Sequence, residues 1–221
     1  MFNKIINFLN KNPKKISNSQ TLSGINDEFK SYMARFQKED AETTWEYGIF
    51  SDLVKEAIPD KNDLTIVEIG IARAGNVENT FQILDSEISK YIGVDPYVSG
   101  YDDSDVFSQK LQKELDYCYS YVINKIKDKR FTLYRASSEI VAPLIEDESV
   151  DAIFIDGDHT YEGVLRDISI WKPKIKKKGI IVGDDYPLFS GVKQAVNESF
   201  TEFNLRDNCW YCINPNKWSD E

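Results

Sequence analysis

Residues Val150–Asp185 read VDAIFIDGDHTYEGVLRDISIWKPKIKKKGIIVGDD, and they set the architecture of the chain. Two apolar runs inside this stretch, Val150–Ile155 and Ile180–Val182, are short, rich in β-branched residues and bounded by turn signals. Such runs are buried strands of a parallel sheet. Between them Tyr161, Val164, Leu165, Ile168 and Trp171 recur at helical spacing and supply the crossover helix of a βαβ unit. Both strands run straight into acid, Asp156-Gly-Asp158-His159 after the first and Asp184-Asp185 after the second. The carboxyl ends of neighbouring strands in an open α/β sheet face one crevice, where ligands bind. Asp156, Asp184 and Asp185 therefore converge despite lying 28 and 29 positions apart. Three carboxylates that close repel unless a positive charge sits among them, and a hard divalent cation such as Mg²⁺, held by oxygen ligands, is the simplest candidate. The plainer alternative is that Asp and Gly merely punctuate strand ends.

Working outward, the 221 residues suffice for one α/β domain with an N-terminal extension. A hydrophobic fraction of 41% with 13% aromatics is that of a soluble globular protein. The net charge of −10 repels a phosphate backbone, so nucleic acid is not expected as a partner. One basic cluster, Lys172-Pro-Lys174-Ile-Lys176-Lys177-Lys178, reads as a solvated turn at the edge opposite the acids. Three cysteines, an odd number without a secretory signal, suggest a reducing, cytoplasmic setting. Cys209-Trp-Tyr-Cys212 has CxxC spacing, but it lies in a strand-like stretch that would send its two thiols to opposite faces. No apolar run approaches the roughly 18–20 residues of a transmembrane helix.

Before the first strand, Phe2, Ile5, Ile6 and Leu9 stripe a short helix, read as a packing or dimer arm ahead of a membrane foot. Lys11–Gly24 reads as a polar linker. Ile25, Phe29, Met33 and Phe36 mark a second helix; Trp45, Ile49, Leu53 and Ala57, closed by Pro59, mark a third. Residues 1–60 thus form a helical extension placed to cover the crevice as a lid, and 61–221 the ligand-binding domain. From Leu64 strand and helix alternate, which predicts a doubly wound sheet. Its strands are Leu64–Ile69, Tyr91–Val94, Phe131–Tyr134, Val150–Ile155 and Gly179–Val182. A terminal antiparallel pair over Phe203–Leu205 and Cys209–Ile213 brings the mostly parallel sheet to seven strands. The intervening helices carry Val77, Phe81 and Leu84; then Phe107 through Ile126; then Ile140, Val141 and Leu144; then Val192–Phe200.

The first strand leads into a glycine turn and a helix start, Ile66-Val-Glu-Ile-Gly-Ile-Ala-Arg-Ala-Gly-Asn76. Glycines there let backbone N–H groups and a helix N-terminus approach a ligand. A phosphate loop of the Walker type is excluded, because Asn76 stands where its lysine must be. Gly70, Ala72 and Gly75 match the dinucleotide fingerprint only loosely, and Glu68 suits a cationic ligand such as a sulfonium better than a pyrophosphate. Asp95, closing the second strand 25 residues past Gly70, can accept both hydroxyls of a ribose.

VEIG followed by Gly75-Asn76, the acid closing the second strand, FIDGDHTYEGVLRDI and GIIVGDDY together resemble the class I S-adenosylmethionine-dependent methyltransferases. Within them the chain is similar to the branch of macrocin-type sugar O-methyltransferases and cephalosporin hydroxylase-like proteins, over about residues 64–200. The resemblance implies that Glu68, Gly70 and Gly75 line the methionine end of S-adenosylmethionine, that Asp95 holds its ribose, that Ala136 and Ser137 border its adenine, and that Asn76 and Asp156 also belong to the cofactor site. It also implies that Asp156, Asp184 and Asp185 hold a divalent metal. Catechol-type enzymes usually carry Asp-Asn where this chain has Asp184-Asp185, and that departure points to the sugar-modifying branch. The N-terminal helices and the acidic, aromatic stretch with Tyr97, Tyr101, Asp102, Asp103 and Asp105, a candidate acceptor contact or pocket cap, fall outside the resemblance.

Methyl transfer requires a desolvated nucleophile in line with the methyl group, and a hydroxyl must lose its proton to serve as one. His159 is the better base by its ordinary pKa of about 6.5, against about 3.9 for an aspartate. Asp158 either orients the imidazole or is itself the base. The expected acceptor is a small hydroxyl compound, a sugar or nucleotide sugar. Two other readings stand beside this one: a metal-free methyltransferase acting on nitrogen or another small molecule, and a nucleotide-binding module whose acids only cap strands.

Overall fold

The computed structural model describes residues 18–42 and 48–213. The apolar stripe of Phe2, Ile5, Ile6 and Leu9 and the helix position of Trp45 lie outside them. Seven helices, α1 (Asn18–Glu42), α2 (Gly48–Ala57), α3 (Gly75–Leu84), α4 (Gln112–Lys125), α5 (Ser138–Val141), α6 (Tyr161–Trp171) and α7 (Ser190–Ser199), flank the sheet among the described residues. The strands are β1 (Leu64–Ile69), β2 (Ile88–Val94), β3 (Phe131–Tyr134), β4 (Val150–Ile155), β5 (Ile175–Gly183), β6 (Asn204–Arg206) and β7 (Cys209–Ile213). Their order is β3-β2-β1-β4-β5-β7-β6, with every pair parallel except β5–β7 and β6–β7. The expected doubly wound, seven-stranded sheet is therefore present.

Alternate residues of the central strands feed two cores, as the period of two requires. Ile66, Phe154, Ile180 and Val182 pack with Phe50, Leu53, Val77 and Leu115 on one face. Val67, Ile153, Ile155 and Ile181 pack with Val164, Ile168, Trp171 and Val196 on the other. Cys209 joins the first core and Cys212 the second, so the CxxC pair is split across the sheet.

The strand ends stand level. Ile69 pairs with Val94 on one side and Ile155 on the other, and Ile155 pairs with Gly183. Asp95, Asp156 and Asp184, each the next residue, consequently share one edge. The strand order reverses between β1 and β4, which places the ligand crevice there.

Several boundaries differ from the sequence reading. The linker assigned to Lys11–Gly24 is helical from Asn18 onward, because polar residues alone do not stop a helix and an interior glycine such as Gly24 costs only about 1 kcal/mol. Lys176–Lys178 is not a turn but the start of β5, and Lys172–Lys174 forms a 3₁₀ turn. Lys176 reaches Asp151 at 2.9 Å and Lys174 reaches Asp147 at 2.6 Å, so these lysines are partly neutralised in place. Phe107 and Leu111 precede α4, because Asp102 and Asp105 turn the chain by accepting the N–H groups of Ser104 and Phe107. None of the described residues of α1 or α2 covers the crevice: α1 packs against α4, and α2 against α3 and β5.

Candidate active site

A cavity of about 840 Å³ opens at the carboxyl edge of the sheet, running from the residues after β4 and β5, past Asp95, to those after β3. The turn after β1 forms its floor. Gly70 has φ +84°, and a Cβ there would lie 1.8 Å from the carbonyl oxygen of Asp156. The glycine is thus required by the close approach of two strand ends. Ala72 and Ala74, at φ +44° and +62°, are also left-handed, a conformation costing an alanine about 1–2 kcal/mol.

Asp95 holds this turn. One carboxylate oxygen accepts from the N–H groups of Ile71 and Ala72, both at 3.0 Å, and the other from Tyr97 N–H at 2.7 Å. Burial raises its pKa against the lowering effect of those three bonds. A carboxylate offers about four acceptor sites, so one remains beyond these three bonds. Asp95, Gly70, Ala136, Ser137 and Asp156 all line the cavity.

Glu68, Gly75 and Asn76 do not line it. The Glu68 carboxyl is buried behind the turn, where it accepts from the hydroxyl of Tyr91 and, at 3.2 Å, from the amide of Asn76. Burial pushes its pKa up to about 8. A carboxyl that is neutral and spoken for is a core hydrogen-bond hub and offers no charge to a cation.

At the other end Asp156, Asp184, Asp185, Asp158 and His159 meet. Ligand atoms of Asp156, His159 and Asp185 lie within 4.8 Å of one another. His159 Nε2 is 3.1 Å from Asp185 and 3.6 Å from Asp156, yet neither ring nitrogen makes a well-formed hydrogen bond. Its ring stacks on Phe189 at 4.4 Å. Burial disfavours the imidazolium, but the Asp156 and Asp185 carboxylates outweigh that and raise its pKa to about 9. Burial and the charges of Asp156 and Asp184 raise Asp185 to about 6; Asp184 is raised by burial and Asp156. Asp184 Oδ1 accepts from Asp185 N–H at 2.8 Å and lies 3.5 Å from the Cys209 thiol. Two carboxylates and an imidazole that face one another are a donor set that fits a divalent cation once the imidazole has given up its proton. The structure thus adds His159 to the expected ligand group and leaves Asp184 beside it.

Asp158 is fixed separately. It accepts from Thr160 N–H at 2.9 Å and lies 3.5 Å from Arg166, which also bonds Glu139 at 2.9 Å. A Cβ at Gly163, in the first turn of α6, would come 2.2 Å from its carboxyl, so glycine there makes room for it. Across the cavity Tyr101 donates to Asp105 at 2.7 Å, and both line the wall, whereas Asp102 bonds within its own loop. Four charged lining residues, Arg135, Glu139, Arg166 and Asp167, were not singled out by sequence. Asp167 carried a signal nonetheless: it is a charged residue on the apolar stripe of Val164, Ile168 and Trp171.

Sheet order and the glycine turn at the switch point define a doubly wound domain, of the class whose strand-end crevice receives nucleoside-containing cofactors. Residues 67–186 match the model of the methyltransferase domain family; this is more than half of the chain, and the chain belongs to that family. An uncharacterized protein of Acanthamoeba polyphaga mimivirus is 31% identical over 130 residues, 58% of this chain and 53% of that protein. The chain spans about half the length of that relative. Among solved structures, the O-methyltransferase NovP superposes with a TM-score of 0.58 at 16% identity, covering 76% of this chain and 78% of its own. CalS11, a TDP-rhamnose 3′-O-methyltransferase of calicheamicin biosynthesis, superposes at 0.50 with 14% identity, covering 93% and 97%. These likenesses show a shared fold, that of the S-adenosylmethionine-dependent methyltransferases.

Proposed function

We propose that the chain is an S-adenosylmethionine-dependent O-methyltransferase, assisted by a divalent metal, that methylates a hydroxyl of a sugar or sugar-containing small molecule. The observation that carries this reading is the cluster of Asp156, His159 and Asp185 at the wall of a cavity whose floor is a methyltransferase cofactor turn. NovP and CalS11, which share the fold, are O-methyltransferases, and the second acts on a sugar nucleotide.

Asp156 and Asp185, with His159 and Asp184 alongside, would hold the cation. When bound, it supplies positive charge that lowers the pKa of a nearby hydroxyl. The protein does the rest with its own groups. Asp95 orients the ribose, and the apolar side chains of Val94, Pro96, Val98 and Ile140 help exclude water. We assign the hydroxyl's proton to Asp158, because His159 would give its free lone pair to the cation beside the carboxylates of Asp156 and Asp185. His159 then positions those carboxylates. On this assignment Asp158→Asn lowers kcat by about 10²–10⁴ with cofactor affinity intact. His159→Ala instead weakens metal binding first, seen as a raised metal requirement at near-normal saturating kcat. The reverse pattern would make His159 the base.

The test is S-adenosylhomocysteine release measured over a panel of sugars, nucleotide sugars and simple phenols, with magnesium or manganese and with excess EDTA. Turnover on a sugar hydroxyl that EDTA abolishes is the expected result. Full turnover in EDTA would remove the metal, and turnover only on amines would replace the O-methyl reading.

A further inference from the structure

We propose that α1 sets cofactor affinity from outside the cavity: Asp40, with Glu39, grips Arg73 and so holds the turn between β1 and α3 in the shape that receives the cofactor. The inference rests on the cofactor reading above. It makes Asp40 a positioning residue, on a helix none of whose described residues lines the cavity.

Ala72 lines the cavity and Arg73, the next residue of the turn, does not. The Arg73 side chain is engaged by α1 instead. Its Nε donates to Asp40 at 2.7 Å and its Nη1 to Glu39 at 2.9 Å, with the guanidinium 5.9 Å from the Phe36 ring. Asp40 also accepts from Lys125 at 2.7 Å and from the Tyr121 hydroxyl at 2.9 Å. Lys125 in turn donates to the carbonyl oxygen of Arg73 at 3.2 Å and pairs with Glu78 of α3 at 2.7 Å. One carboxylate on α1 therefore reaches the turn twice, through the Arg73 side chain and, by way of Lys125, through its backbone. Burial alone would raise the pKa of Asp40, but Lys125 and Arg73 outweigh it and hold the carboxyl below its usual range. The side chains of Arg73, Asp40 and Lys125 are only 20%, 23% and 14% exposed, which sets this network apart from loose surface pairs that contribute little.

The turn needs a hold on this side. Arg73 stands between Ala72 and Ala74, both left-handed, and a strained backbone persists only where its surroundings over-determine it. Asp95 holds the N–H groups of Ile71 and Ala72. At Arg73 the hold passes to α1 and α4, through Asp40, Glu39 and Lys125. Releasing it lets the turn leave its binding shape, and apparent affinity then falls in proportion to the fraction of molecules that keep it.

Calorimetry with S-adenosylhomocysteine on the full chain, well below the Tm of each variant, reads the effect. Asp40→Asn, similar in volume but uncharged, should raise Kd at least about fivefold, so that roughly one molecule in five or fewer keeps the binding shape. Arg73→Gln breaks the same clamp from the turn and should do likewise; it carries the test if Asp40→Asn folds poorly. The double variant should bind no worse than about twofold beyond the weaker single one, because both remove one interaction. Asp40→Glu restores the charge and should return Kd to within about threefold of wild type. Glu28→Gln is the control for α1 packing. It breaks another α1–α4 ion pair, with Lys113 at 2.6 Å, at the opposite end of α4 from Lys125, and should leave Kd within about twofold. An Asp40→Asn or Arg73→Gln protein with unchanged Kd overturns the proposal. So do fully multiplicative effects in the double variant, or equal weakening by Glu28→Gln. Failure of wild type to bind overturns the cofactor reading itself, and this proposal with it.

Discussion

At the scale of single residues, the site mixes carboxyl groups with opposite duties, and burial decides which is which. Glu68 and Asp95 close neighbouring parallel strands and look alike in sequence. Asp95 keeps a free acceptor site at the cavity, whereas Glu68 is shut in with Tyr91 and Asn76. Its pKa is raised from the ordinary 4.5 to about 8. The folded protein thus holds a proton that the unfolded chain has lost between those pH values. This contribution to stability is complete below pH 4.5 and falls as pH rises through 8, by up to about 1.4 kcal/mol per pH unit. Glu68→Gln, which keeps an acceptor for both partners but cannot ionise, should remove that slope. It should leave S-adenosylhomocysteine affinity within about threefold, because one distant neutral hydrogen bond is exchanged for another. Melting temperatures of both proteins from pH 5 to 8 test this; parallel curves would mean that Glu68 is ionised in the native state. The expectation that Glu68 meets the methionine end follows from its place at a strand terminus. Its side-chain direction and the reach of the Tyr91 hydroxyl to it, across from Gly93 on β2, are properties of the folded pair β1–β2, which a linear pattern does not contain.

At the scale of elements, the turn between β1 and α3 is held by a side chain from another strand. Three backbone N–H groups depend on Asp95, and the turn carries two left-handed alanines. Asp95→Ala should therefore destabilise the cofactor-free protein by about 3 kcal/mol or more, since each of three orphaned donors costs about 1–3, besides weakening cofactor binding at least tenfold. Denaturant midpoints without ligand check the first effect and calorimetry the second; a stable Asp95→Ala that fails to bind would confine Asp95 to the ligand. The same comparison shows what patterns reveal. β1, β3 and β4 are legible to the residue, because Leu64–Ile69, Phe131–Tyr134 and Val150–Ile155 end at polar or turn-forming neighbours. β5 begins five residues before its apolar run, since Ile175 pairs with Val150 and carries the lysines into the ladder. The loop before α4 reads as helix from Phe107 because apolar spacing is blind to Asp102 and Asp105 capturing backbone N–H groups. α1 is fastened by polar bonds that no period announces: Asp40 accepts from Arg73, Lys125 and Tyr121.

At the scale of the whole molecule, charge explains why so acidic a cavity can exist. Eight carboxyl groups line it against two guanidinium groups and one imidazole, in a protein of net charge −10. Such a concave, predominantly acidic surface draws cations from solution, and burial first, then repulsion from neighbouring carboxylates, raises the pKa values of Asp184 and Asp185. The convergence of Asp156, Asp184 and Asp185 was legible because strand ends in one sheet share an edge. The entry of His159 into the group was not, since it depends on the course of the loop from β4 to α6. Metal should therefore act on the entire fold. Magnesium or manganese chloride at a hundredfold excess over Kd should stabilise the cofactor-free protein by about 2.7 kcal/mol, a rise of roughly 5–10 °C in Tm for a chain of this size. Asp185→Asn is the informative control. Asp185 has φ +63°, a conformation asparagine tolerates, so the backbone is kept while a ligand oxygen and a charge are lost. In that variant the metal-induced rise should largely vanish, and its metal-free Tm should match or exceed that of wild type, because one of the repelling carboxylates is gone. Sodium chloride at equal ionic strength separates binding from screening: a Tm rise that sodium reproduces in full, or that survives Asp185→Asn, would mean that the cluster holds no specific cation.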